Sequence, residues 1–150
     1  MTLFAATDGA SRGNPGDSGI GVIVRDAGGN VVLTISAYLG KATNNMAEYT
    51  ALITLLRRMA TVPCTRLEVQ ADSELMVRQV NGIYKVKDAR LQRYCAEVQR
   101  LRKAAPYEFV LRYVPREQNK DADALANRGI ESREPLPAEE RALLLSGGLC

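Results

Sequence analysis

Histidine is missing from this chain of 150 residues, and so is tryptophan. Without imidazole, Ser-His-Asp triads, Cys-His pairs and His-ligated zinc are excluded. Any acid–base or metal chemistry must rest on carboxylates, Lys, Tyr or bound water. Aromatic residues are only 5% of the chain, so Leu, Val, Ile and Ala must supply most of the core. The three cysteines, Cys64, Cys95 and Cys150, fit neither a zinc motif nor a disulfide framework. They read as free thiols in a reducing compartment. No apolar run approaches the roughly 20 residues of a membrane span, and the first residues lack the basic start and apolar stretch of a signal peptide. The expectation is a cytoplasmic protein with no membrane partner.

What is present suits one soluble domain. Apolar residues make up 46% and charged residues 25%, ordinary values for a globular chain. The net charge of +3 permits an anionic partner without demanding one. Leu3–Thr7 reads as a strand ending in Asp8-Gly9, followed by a turn-rich loop over Ser11–Gly16. The β-branched runs Ile20–Arg25 and Val31–Leu39 flank a hairpin connection. Thr43, Asn44 and Asn45 supply N-cap candidates for a helix reaching about Ala60. Strand Leu67–Ala71, helices Ser73–Val80 and Lys87–Ala104, strand Tyr107–Val114 and a final helix Asn119–Ile130 complete the pattern, with Asn119 as the expected cap. This order predicts an α/β domain with a mixed sheet over residues 1–131. Residues 132–150 read as a C-terminal tail, with one short helix expected over Ala138–Leu145.

Four carboxylates fall in unusual places. On a helix turning about 100° per residue, Leu52, Leu55 and Met59 lie within roughly 40° of Glu48, so this acid sits on the core-facing stripe. A buried carboxylate is expensive unless a cation or hydrogen-bond donors receive it. Asp8 ends one strand and Asp72 another, and such ends converge at the carboxyl edge of an open α/β sheet. Asp123 shares a helical face with Ala126 and Ile130, whereas Asp121 suits a solvated, dipole-stabilising role. Taken singly, each of the four has an ordinary alternative: Glu48 in a first helical turn, Asp8 in an Asx-turn, Asp72 as an N-cap, Asp123 as a solvated charge. Together, and without histidine, they suit hard divalent cations, chiefly magnesium or manganese. Two such ions ~3.5–4 Å apart activate water and stabilise the leaving oxygen in phosphodiester hydrolysis.

These segments resemble a known family, the type 1 ribonucleases H. The stretch Thr7-Asp8-Gly9 through Asn14-Pro15-Gly16 is similar to the family's first active-site segment. Thr43-Asn44-Asn45-Met-Ala-Glu48 is similar to the second, Ala71-Asp72-Ser73 to the third, and Pro115 through Asp123-Ala-Leu-Ala to the fourth. Asn81-Gly-Ile-Tyr84-Lys-Val-Lys87 resembles a segment of archaeal and some bacterial forms. The likeness runs from about Leu3 to Ile130. It implies a ribonuclease H-like fold, with a five-stranded mixed sheet (first three strands antiparallel) flanked by helices. It also implies endonucleolytic cleavage of the RNA strand of RNA–DNA hybrids, leaving 5′-phosphate and 3′-hydroxyl ends. By motif position, Asp8 would bridge two Mg2+ ions, with Mn2+ as substitute. Glu48 and Asp72 would complete one site and Asp123 the other. Asn14, Thr43, Asn44 and Asn45 match backbone and 2′-hydroxyl contacts, the group that separates RNA from DNA.

The chain departs from the pattern where many bacterial members carry a loop histidine. Here the stretch reads Val114-Pro-Arg-Glu117, which leaves Arg116 or Glu117 to assist. Glu74 stands where relatives often have glutamine. The strongly basic handle of some members is reduced to Lys85, Lys87, Arg90 and Arg93, of which Lys85 and Lys87, with Arg116, are the expected basic substrate contacts. Double-stranded RNA stays open as a second substrate, and a monomer is expected. The alternatives are a non-catalytic hybrid-binding domain of the same fold, or a related polynucleotide transferase or resolvase core.

Overall fold

The structure is a computed structural model, and it describes residues 1–138. Five strands and four α-helices alternate as β1 (Thr2–Gly13), β2 (Gly16–Arg25), β3 (Val31–Ala42), α1 (Asn44–Met59), β4 (Arg66–Ala71), α2 (Glu74–Val80), α3 (Ala89–Ala104), β5 (Glu108–Tyr113) and α4 (Lys120–Ser132). A 3-10 turn over Arg116–Gln118 precedes α4. The sheet order is β3-β2-β1-β4-β5. The β1–β2 and β2–β3 pairs are antiparallel, and β1–β4 and β4–β5 are parallel. The mixed sheet with an antiparallel first half is therefore as the sequence predicts.

The first two strands are longer than expected. β1 runs through Asp8 to Gly13 and pairs with β2 down to Gly13↔Gly16. The anticipated loop over Ser11–Gly16 is thus mostly strand, closed by a tight turn at Asn14-Pro15. Glycines and polar residues read locally as a loop, but the Ser11 and Ser18 hydroxyls meet across the pair and both reach the Ala42 carbonyl. Asp8 consequently sits inside β1, not at its end.

Side chains alternate along β1. Leu3, Ala5 and Thr7 are buried on the face covered by α1, while Phe4 on the other face is 40% exposed. α1 carries buried residues nearly all around, because it lies between the sheet and α3. On the other face α4 crosses β2 and β3. Glycine makes that crossing close: a Cβ at Gly21 would collide with the Ala122 carbonyl of α4. Beyond α4, the Tyr38 N–H donates to the Glu134 carbonyl, Pro135 bridges Tyr38 in parallel, and Leu136 is buried in the core. The expected helix over Ala138–Leu145 lies almost wholly outside the described residues. No helix among the described residues is long and apolar enough to cross a membrane.

Candidate active site

The parallel pairing of β1 with β4 ends at Thr7↔Ala71. The residue that follows each member of this last pair is an acid, Asp8 within β1 and Asp72 just beyond β4, so strand register sets them side by side. Glu48 arrives from the first turns of α1. Three local choices hold it there. Thr43 caps α1 by accepting from the Met46 N–H at 3.2 Å. Gly9 lets β1 approach so closely that a Cβ there would collide with the backbone of Ala47 and Glu48. The Gly9 N–H then donates to Glu48 Oε1 at 2.8 Å. One carboxylate oxygen from each of Asp8, Glu48 and Asp72 lies within 4.8 Å of the others.

This is an expensive arrangement. Asp8 is 4% exposed and Glu48 8%. Burial raises the Asp8 carboxyl far above its ordinary value, and the charges of Glu48, Asp72 and Asp123 push it further. Burial and then Asp72 raise Glu48 likewise, and the Gly9 hydrogen bond only partly offsets this. The capping alternative for Asp72 is removed by its neighbour, since Ser73 accepts from the Met76 N–H and starts α2. Carboxylate oxygens from two buried acids and the half-buried Asp72, packed this tightly, match the donor set of a hard divalent cation.

Asp123 lines the same open cleft, together with Asp8, Gly9, Ser11, Asn44, Glu48, Asp72, Arg116 and Asn127. It stands outside the tight trio, on the first turns of α4. Arg116 Nη2 lies 3.5 Å from Asp123 Oδ1, and Asn127 donates to the Asp123 carbonyl at 3.0 Å. Asp121 points elsewhere and pairs with Arg25 at 3.1 Å, the solvated role expected of it.

The expected substrate contacts divide between two openings. Asn44 borders the carboxylate cleft, while Asn14, Thr43 and Asn45 line an adjoining groove with Asp88 and Arg90. Asn14 Oδ1 accepts from the Asn44 N–H at 3.0 Å and so ties the β1–β2 turn to the start of α1. Lys85 and Lys87 lie exposed on the α2–α3 connection and line neither opening. Glu74 forms an exposed pair with Arg78 at 3.0 Å.

Asn119 differs from expectation. It stands at the N-terminus of α4 but makes no side-chain cap bond. Its amide instead turns inward to the Thr7 carbonyl and to Asp72. An asparagine ahead of a helix reads as a cap, and nothing local signals the inward turn. Gly9 reads locally only as the end of a strand, although a glycine directly after a strand acid can also mark close helix approach.

A family model described as reverse transcriptase-like matches residues 6–129. A ribonuclease H of Alkalilimnicola ehrlichii is 30% identical, over 88% of this chain and 97% of that protein. The chain belongs to the ribonuclease H family. Within the family, LC11-RNase H1, crystallised in complex with an RNA/DNA hybrid, superposes with a TM-score of 0.82 at 40% identity, over 87% of this chain and 97% of that one. The crystal structure of RNase H1 from Halobacterium salinarum gives a TM-score of 0.83 at 35% identity, covering 88% and 99%. These likenesses point to the type 1 ribonucleases H. The chain spans 64% of the full-length Halobacterium ribonuclease HI and 36% of a bifunctional Mycobacterium tuberculosis protein.

Proposed function

We propose that this ribonuclease H domain is a divalent-metal-dependent endonuclease that hydrolyses the RNA strand of RNA–DNA hybrids, leaving 5′-phosphate and 3′-hydroxyl ends. The observation that carries the reading is the trio of Asp8, Glu48 and Asp72 oxygens within 4.8 Å, where the parallel pairing of β1 with β4 ends. Asp8, between the other acids, would ligate two Mg2+ or Mn2+ ions, with Glu48 and Asp72 completing one site and Asp123 the other. Bound there, such ions supply an activated water and charge stabilisation at the scissile phosphate.

The chain's own groups account for the rest. The Gly9 N–H holds one carboxylate oxygen of Glu48. Arg116, 79% exposed at its side chain beside Asp123, would meet phosphate. Asn44 at the cleft and Asn14, Thr43 and Asn45 at the adjoining groove present short amides and a hydroxyl, groups suited to a 2′-hydroxyl and to phosphate oxygens. A pure hybrid-binding domain is disfavoured, because clustered acids facing a phosphate backbone weaken binding unless cations intervene.

The test is an end-labelled hybrid incubated with and without Mg2+, beside double-stranded RNA and double-stranded DNA of the same sequence. The expected result is metal-dependent cleavage of the RNA strand of the hybrid and intact double-stranded DNA. Binding of hybrid without metal-dependent products would overturn the nuclease reading. Cutting of the double-stranded DNA would favour the transferase or resolvase class.

A further inference from the structure

Asn119 is 1% exposed, and every polar group it owns is used. Its backbone N–H donates to the Arg116 carbonyl at 2.9 Å, and its carbonyl accepts from the Asp123 N–H at 3.1 Å. Its side-chain Nδ2 donates to the Thr7 carbonyl at 2.9 Å and to Asp72 Oδ2 at 3.3 Å. Gln70 Nε2 donates to the Gln118 carbonyl at 2.8 Å and reaches Asn119 Oδ1 at 3.4 Å. The orientation of the amide is fixed by chemistry: the Thr7 carbonyl can only accept, so the nitrogen must face it. One small side chain therefore joins the residue before Asp8, the Asp72 carboxylate and the backbone that begins the helix of Asp123. These three acids come from β1, β4 and α4, and no covalent continuity keeps those elements in step at this point.

We infer that Asn119 is a positioning residue: its buried amide locks Asp72 and the start of α4 to β1, so that the carboxylates converge on cations. The amide is suited to the task because it is neutral. It donates to a carboxylate without neutralising the charge that a cation needs, as a lysine or arginine at the same place would. Its two N–H groups lie in one plane, so holding the Thr7 carbonyl also fixes the direction offered to Asp72. Capping by asparagine or serine is an ordinary stabilising device, but here the side chain has left the helix it would cap.

The inference rests on the metal reading of the cleft, and the test separates the two. Asn119→Ser keeps a good capping residue at the head of α4, yet its hydroxyl is too short to reach both Thr7 and Asp72. Asn119→Ala removes both capacities. Each variant and the wild type are titrated with Mn2+, read by the metal-induced rise in Tm and by the Mn2+ dependence of hybrid cleavage. The expected result is a Mn2+ half-saturation raised at least about 10-fold in both variants, equivalent to about 1.4 kcal/mol. The fall in kcat should exceed any change in KM for hybrid. Serine rescue of wild-type Mn2+ dependence would reduce Asn119 to a helix cap and overturn the inference, whatever the Tm of the variants. If the wild type itself gained no Tm from Mn2+, the metal reading would fall first. Should Asn119→Ala not fold, the serine variant alone decides.

Discussion

Asp8→Asn replaces a titrating carboxyl in the middle of a buried cluster with a neutral amide of almost the same volume. In the folded protein Asp8 and Glu48 hold their protons far above the ordinary values of 3.8 and 4.5. The folded state therefore binds more protons than the unfolded one, and stability falls as pH rises. In metal-free buffer the loss begins above the ordinary carboxylate range and continues through neutral pH. Asp8→Asn should raise Tm in chelator by several degrees, since about 1 kcal/mol moves a domain of this size by about 2–4 °C or more. The gain should be larger at pH 8 than at pH 5, and Mg2+-dependent hydrolysis should vanish. Calorimetry at the two pH values checks the sign. A variant less stable than wild type at pH 8 without metal would make Asp8 a structural residue. The electrostatic cost of the cluster is thus the residue-scale signature of a group selected for something other than stability.

At the scale of elements, α1 and α4 each depend on glycine in a neighbouring strand to come close. α4 comes this close to β2 because positions 19 and 21 have no side chains. Gly21→Ala must push α4 outward, and with it Asp123. Such overpacking commonly costs about 1–3 kcal/mol, so Tm should fall. Activity should fall further than the folded fraction explains, with kcat more affected than KM. Equal kcat per folded molecule would show that Asp123 tolerates the shift. Much of this layout was legible in the sequence. The element order, the mixed sheet and the placing of Asp8, Glu48, Asp72 and Asp123 near one opening follow from periodicity, turns and strand ends. What local pattern could not carry was tertiary pairing. Ser11 and Gly13 look like loop until β2 and the Ala42 carbonyl give β1 something to bond. Asn119 looks like a cap until Thr7 and Asp72, distant in sequence, draw its amide inward. Lys85 and Lys87 are exposed on the α2–α3 connection, which leads into Asp88 at the edge of the second opening, and local pattern alone does not say whether their side chains turn toward it.

Among the described residues the build is uneven: three helices on one sheet face, one on the other, and an edge strand, β3, beside the lone helix. An open edge is a hazard in any sheet. Here the chain leaving α4 covers part of it. Arg133 adopts a left-handed conformation, stacks on the Tyr38 ring at 4.3 Å and pairs with Asp17 at 3.2 Å. Those exposed contacts contribute little alone. Leu136 differs, being 1% exposed within the core, so the segment after α4 is part of the folded body as far as it is described. Truncating a buried leucine to alanine costs about 2–5 kcal/mol, and Leu136→Ala should lower Tm accordingly. Asp123 is held from the other end of α4 by Gly21 and Asn119, so cleavage per folded molecule at a temperature well below Tm should stay within about twofold. A Tm within a degree of wild type would mean that the segment merely rests on the surface. A large loss of kcat with Tm unchanged would mean that the strap, more than the close helix–strand contact, sets where Asp123 stands.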